Sequence, residues 1–161
     1  MRSPKPTSVT AVTTLVLVFG VCVPNGNTQH NSPRYGTWKL NIEKSTISAD
    51  AAPKLLTRVD EPAGNGVKVT YEGIDADGSR IAYSYTARYD GREYRPTGVG
   101  MGNGWETITL KRIDDYTWEA TLRRAGKIVS TNKNVVSRDG KTMTQMTQTV
   151  NGRSVSIWER Q

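Results

Sequence analysis

Five turn signatures punctuate the chain from its middle to its end: Asp75-Ala76-Asp77-Gly78, Asp90-Gly91, Ala125-Gly126, Asp139-Gly140 and Asn151-Gly152. Each lies between stretches that alternate apolar with polar residues. Pairs of this kind supply the positive φ angles that tight hairpin turns require, so the pattern reads as an antiparallel meander. Strands are expected at about 36–42, 54–61, 67–74, 79–90, 92–97, 105–113, 116–124, 127–138, 142–150 and 153–160. The segment Glu43 to Pro53 is too short and too poor in large apolar residues for packed helices, and reads as an open loop or a single helical turn.

Within the strands the alternation separates two faces. Ile81, Tyr83, Tyr85, Ala87 and Tyr89 share one face, and Arg80, Ser84, Thr86 and Arg88 the other. Tyr116, Trp118, Ala120 and Leu122 repeat the pattern against Thr117, Glu119, Thr121 and Arg123. In the last hairpin, a two-residue turn at Asn151-Gly152 pairs Val150 with Arg153, Gln148 with Val155 and Met146 with Ile157, and this set reads as core. Thr149, Thr147 and Gln145 then pair with Ser154, Ser156 and Trp158 on the opposite face. A meander of about ten strands without helices must protect its edges, and the simplest way is to curl until the first and last strands meet. The expected architecture is therefore an all-β, up-and-down meander closed into a small barrel.

Residues 1–26 read as a secretory signal. Arg2 and Lys5 precede an uncharged run of 14 residues, Thr10 to Val23, which Pro24-Asn25-Gly26 ends. A bilayer core needs about 20 apolar residues, so the run is too short to span it. Residues 27–34 read as a flexible leader and 35–161 as the barrel domain. Export to a periplasmic or extracellular space follows. Membrane attachment enters only if Cys22, the single cysteine, carries a lipid. With the signal removed, 20 basic residues face 15 acidic ones, a charge of about +5 that is spread one or two to a strand. Such scatter describes solvated strand faces on a monomer, and nucleic acid is not an expected partner.

The head of the first strand, Gly36-Thr37-Trp38-Lys39-Leu40, resembles the Gly-x-Trp opening of lipocalins and the Gly-x-Trp-Lys-Leu opening of intracellular fatty-acid-binding proteins. The end, Ile157-Trp158-Glu159-Arg160, is similar to the closing strand of the latter. Together with the hairpin order, the chain resembles a lipocalin-like, calycin-type barrel of the kind found in secreted bacterial proteins. The resemblance implies that Trp38 closes one end and that any binding takes place inside. It does not carry fatty-acid specificity: the Arg-x-Tyr pair that holds the carboxylate in fatty-acid-binding proteins corresponds here to Ser156 and Trp158. The helical lid of that family and the C-terminal helix of lipocalins have no counterpart either.

No constellation specifies catalysis. Nucleophilic sites need a thiol or hydroxyl beside a base, and the one histidine, His30, falls in the leader. The same residue is the only axial ligand available to a haem, so no cofactor is expected, and Cys/His metal binding is excluded. The Asp75-Ala76-Asp77-Gly78 turn lacks the further ligands of a calcium loop. A barrel enzyme working through paired carboxylates is a third reading, which falls if no acid faces a cavity. The residues assigned to a ligand pocket are Trp38, Tyr83, Tyr85 and Trp118, with Arg88 and Arg123 attracting an acidic group. The glycine-rich stretch Gly98 to Trp105 is a surface loop or a flap, with Met101 and Trp105 as its apolar contacts. The expected function is non-enzymatic binding of a small hydrophobic or acidic molecule. The alternative is a filled barrel that acts through its surface as a protein-binding or envelope-associated module.

Overall fold

The computed structural model describes residues 32–48 and 51–161. The expected signal, Cys22, His30 and the leader up to residue 31 lie outside the described residues. Ten strands form one antiparallel sheet: β1 (Gly36–Thr46), β2 (Leu55–Ala63), β3 (Gly66–Ile74), β4 (Arg80–Arg88), β5 (Thr97–Val99), β6 (Thr107–Arg112), β7 (Thr117–Arg124), β8 (Lys127–Val136), β9 (Thr142–Thr149) and β10 (Gly152–Arg160). A 3-10 turn, Gly102–Gly104, separates β5 from β6.

The order across the sheet is β5-β4-β3-β2-β1-β10-β9-β8-β7-β6. The first and last strands do meet, with Trp38 opposite Arg160 and Leu40 opposite Trp158. The closed barrel is nevertheless corrected to an open, curled sheet, because β5 and β6 are its two edges and no ladder joins them. A single bridge, Tyr94 with Ile108, spans the seam, with both N–H···O distances at 2.9 Å. Local chemistry explains the opening. Pro96 has no N–H to donate, and Gly98 and Gly100 hold φ at 121° and 76°, so the strand between them is only three residues long.

Two further expectations change. β1 continues through Thr46, into the segment from Glu43 to Pro53 expected to be a loop or a helical turn, while β5 starts at Thr97 instead of near 92. In the last hairpin the turn residues are Val150 and Asn151, because Gly152 pairs with Thr149. The core face there is the reverse of the one expected. Met143, Gln145, Thr147, Ser154, Ser156 and Trp158 face inward, whereas Met146 is 40% and Val150 89% exposed. Trp158 and Met143, opposite each other and buried, set this facing.

One end of the curled sheet is filled and the other is hollow. Trp38, Val67, Val69, Leu110, Val136 and Met143 are each no more than 2% exposed and pack the filled end. Arg34 joins them, although the sequence places it in the leader: it is 1% exposed and accepts the Trp38 Nε1–H on its backbone carbonyl at 2.8 Å.

Candidate ligand site

Above this floor the concave face encloses a cavity of ≈ 260 Å³. β3, β4, β6 and β7 alternate so that their large residues point inward, and they build an apolar wall. Tyr71 and Tyr83, directly opposite on β3 and β4, stack with centroids 4.7 Å apart and planes at 23°. Trp105 meets Tyr83 edge-on at 5.9 Å and Tyr85 at 6.0 Å, so its ring bridges the seam that the backbone leaves open. Burial, then the neighbouring tyrosines, pushes the Tyr83 phenol well above its ordinary value; burial does the same to Tyr85.

β8, β9 and β10 build a different wall. Their register places Asn134 opposite Gln145 and Gln145 opposite Ser156, with Asn132, Thr147 and Ser154 in the next row. All six line the cavity. The amides are only partly satisfied by protein: Gln145 Nε2 donates to Thr147 Oγ1 at 3.4 Å, while Asn134 Oδ1, Gln145 Oε1 and Trp158 Nε1 are buried without a protein partner.

Beneath both walls lies a charged cluster that sequence patterning did not single out. Asp60 is 1% exposed and accepts from Arg34 Nε at 2.7 Å, from Arg58 Nε at 2.6 Å and from Arg58 Nη2 at 2.8 Å. Burial alone would raise the Asp60 carboxyl, but the two guanidinium groups more than reverse this and hold it below its ordinary value. Arg34 also donates to Tyr89 Oη at 2.6 Å and lies 4.0 Å above the Trp118 ring centroid. The cluster therefore carries one net positive charge, and Arg58 presents it to the cavity. The only sequence signal was the Arg58-x-Asp60 spacing, which puts both side chains on the same face of β2.

Of the residues assigned to a pocket, Tyr83, Tyr85, Trp105 and Trp118 come together around the cavity. Trp38 lies below it, fully buried in the floor. Met101 is half-buried against the core. Arg88 is exposed, and Arg123 pairs with Glu93 at 3.7 Å on the convex side, so neither lines the cavity. Among the described residues, no acidic side chain lines it either. Among the described residues, no group of three or more His, Cys, Asp or Glu is placed to hold a metal ion.

This architecture, a ten-stranded up-and-down sheet curled around a hollow interior, is of the calycin type and lipocalin-like. It is similar to a Schistosoma mansoni fatty-acid-binding protein in complex with arachidonic acid, with a TM-score of 0.59 and 14% identity over 81% of this chain and 97% of that one. The fluorescent protein UnaG gives a TM-score of 0.56 at 15% identity, over 80% and 97% of the two chains. A fatty acid transporter gives 0.53 at 15% identity, over 79% and 95%. No protein-family model and no curated protein sequence matches the chain. The expectation of an exported protein is corrected at this point. A fatty-acid-binding protein and a fatty acid transporter share the fold, so the resemblance to barrels of secreted proteins gives export no support, and the segment from which export was expected, residues 1–26, lies outside the described residues.

Proposed function

We propose that the protein is a non-enzymatic binding protein that holds a small, partly apolar molecule inside the curled sheet. The observation that carries this reading is the ≈ 260 Å³ cavity faced by Tyr71, Tyr83, Tyr85, Trp105, Trp118 and Trp158. A protein that worked only through its surface would gain stability by filling that space. The volume lies just below the usual range of roughly 300–1,000 Å³ for drug-sized ligands, which favours a compact guest. A fatty-acid-binding protein of the same fold, in complex with arachidonic acid, and a fatty acid transporter support the idea that this architecture can hold a small apolar molecule.

The test uses the fluorophore 1-anilinonaphthalene-8-sulfonate as a reporter of the interior. Wild type should bind it saturably at one site. Ala120→Trp projects a large ring into the cavity from β7 and should abolish binding, whereas Ala82→Trp on the convex side of β4 should not. Melting curves confirm that both variants are folded. Equal binding by all three proteins would place the fluorophore on the outer surface and overturn the proposal.

A further inference from the structure

The β8-β9-β10 wall runs against the pattern of a packed sheet. These strands turn Asn132, Asn134, Gln145, Thr147, Ser154 and Ser156 inward, while Met146 and Val155 lie on the other face. Purely structural selection would put the apolar set inside. Places where a sequence breaks its own patterning in this way are where function is expected.

Three polar atoms of this wall are buried without a protein partner: Asn134 Oδ1, Gln145 Oε1 and Trp158 Nε1. Asn134 is 2% and Trp158 3% exposed. Their positions are contiguous. Gln145 sits between Asn134 on β8 and Ser156 on β10, and Trp158 is the next inward residue along β10. The indole N–H can only donate, so it calls for an acceptor; the amide oxygens call for a donor. Rotation of either carboxamide exchanges its oxygen and nitrogen, and an edge carrying both functions suits each orientation. The facing wall is made of ring planes, with Tyr71 stacked on Tyr83 and Trp158 edge-on to Tyr71 at 6.1 Å.

Resting on the binding reading above, we infer that the cavity selects a planar ring system that carries a carbonyl beside an N–H on one edge, a cyclic amide or related heterocycle, over a fatty acyl chain. Rings of that kind stack against Tyr71 and Tyr83 while the edge accepts from Trp158 and donates to Gln145 or Asn134. An acyl chain has no donor or acceptor along its length. It would leave the three atoms, already shut away from water, without a partner, which is the costliest state for a buried polar group.

Three probes decide the matter: 2-quinolinone, its N-methyl derivative and dodecanoate, each titrated into the wild-type protein by tryptophan fluorescence. In parallel, the Trp158 indole N–H resonance is followed by NMR, assigned by its absence from the spectrum of Trp158→Phe. The expected result is that 2-quinolinone binds at least about tenfold more tightly than either of the others, and that it moves the Trp158 resonance. Gln145→Met should erase the preference over the N-methyl compound while leaving the fold intact. If all three bind equally, or dodecanoate binds best, with the Trp158 resonance unmoved, the ring inference is overturned but the cavity reading survives. If none binds and 1-anilinonaphthalene-8-sulfonate also fails, both are overturned.

Discussion

The Arg160 guanidinium lies over the Trp38 ring, with Cζ 4.2 Å from the centroid, and joins the end of β10 to the segment that leads into β1. It donates to the Gly140 carbonyl at 2.5 Å, to the Tyr35 carbonyl at 2.7 Å and to the Pro33 carbonyl. This contact also explains the glycine in the Gly36-Thr37-Trp38 opening. A Cβ at Gly36 would stand 2.3 Å from Arg160 Nη1, at a φ of 137° that side chains rarely adopt.

Arg160→Ala should therefore cost about 2–3 kcal/mol in urea unfolding, because three carbonyls lose a charged donor and Trp38 loses its cover. Arg160→Lys should recover little of it. A lysine keeps the charge but lacks the planar fork that reaches all three carbonyls.

Asp60 is the only anion between two buried cations, so Asp60→Asn should be far more damaging, by about 3–5 kcal/mol. Its carboxyl titrates below its ordinary value in the folded state, so the stability it contributes is complete above the unfolded value of 3.8. That contribution is lost as pH falls through the lower folded value. Urea midpoints measured against pH should show wild type and Asp60→Asn converging at the acid end; a constant gap down to pH 2 would contradict the ion-pair account.

Tyr71, Tyr83 and Tyr85 titrate above the ordinary phenol value, chiefly because burial disfavours the phenolate. Their folded-state shift is upward. The stability tied to it is thus full below the unfolded value of 10.0 and is lost as pH rises through the folded values. Absorbance at 295 nm should show these three phenols ionising only together with alkaline unfolding, as a step that coincides with loss of the near-ultraviolet circular dichroism.

Gly98 brings the edge strand β5 close against the backbone of β4. A Cβ at Gly98 would lie 2.1 Å from the Ala82 carbonyl oxygen and 2.6 Å from Tyr83 Cα, at a φ of 121°. Gly98→Ala should detach β5 from β4 and cost about 1–3 kcal/mol. At Gly102 an added Cβ meets nothing within 4 Å, so Gly102→Ala should stay within about 0.5 kcal/mol of wild type. Thermal melts of the two variants, four residues apart, make the comparison.

Replacing part of the polar wall should raise stability. Gln145 Oε1 is buried without a protein partner, and Gln145→Met removes it at similar volume. A gain of about 1 kcal/mol is expected in urea unfolding, the usual direction when an unpaired buried polar group gives way to an apolar one of similar shape. A loss instead would mean that the amide supports the fold.

Strand number and hairpin sequence are legible because turn residues answer to local backbone geometry: Gly78, Gly91, Gly126 and Gly140 all take positive φ. Closure is not legible, since it depends on whether Thr97–Val99 can pair on both sides, a non-local question. The facing of the last hairpin misleads for another reason. Burial was inferred from hydrophobicity, and in β9 and β10 the interior is polar. The sequence offers Trp105 only as an apolar contact of a surface loop or flap, yet it sits at the seam. Arg34 falls in the expected leader and Arg58 among basic residues whose scatter describes solvated strand faces, because a charge is buried only with a partner, and Asp60 is 26 residues from Arg34.

The seam between β5 and β6 is spanned by one backbone bridge, by the exposed Glu93 carboxylate, which accepts from Thr107 and pairs with Arg123, and by the rings of Tyr83, Trp105 and Tyr85, where every other strand boundary is a hydrogen-bonded ladder. Widening a ladder breaks several backbone bonds at once, whereas widening this boundary slides ring edges worth about 0.5–1.5 kcal/mol per pair. The interior is accordingly compliant in a single direction: a guest larger than the resting cavity would spread Trp105 from the tyrosines and leave the other nine strand pairings unstretched.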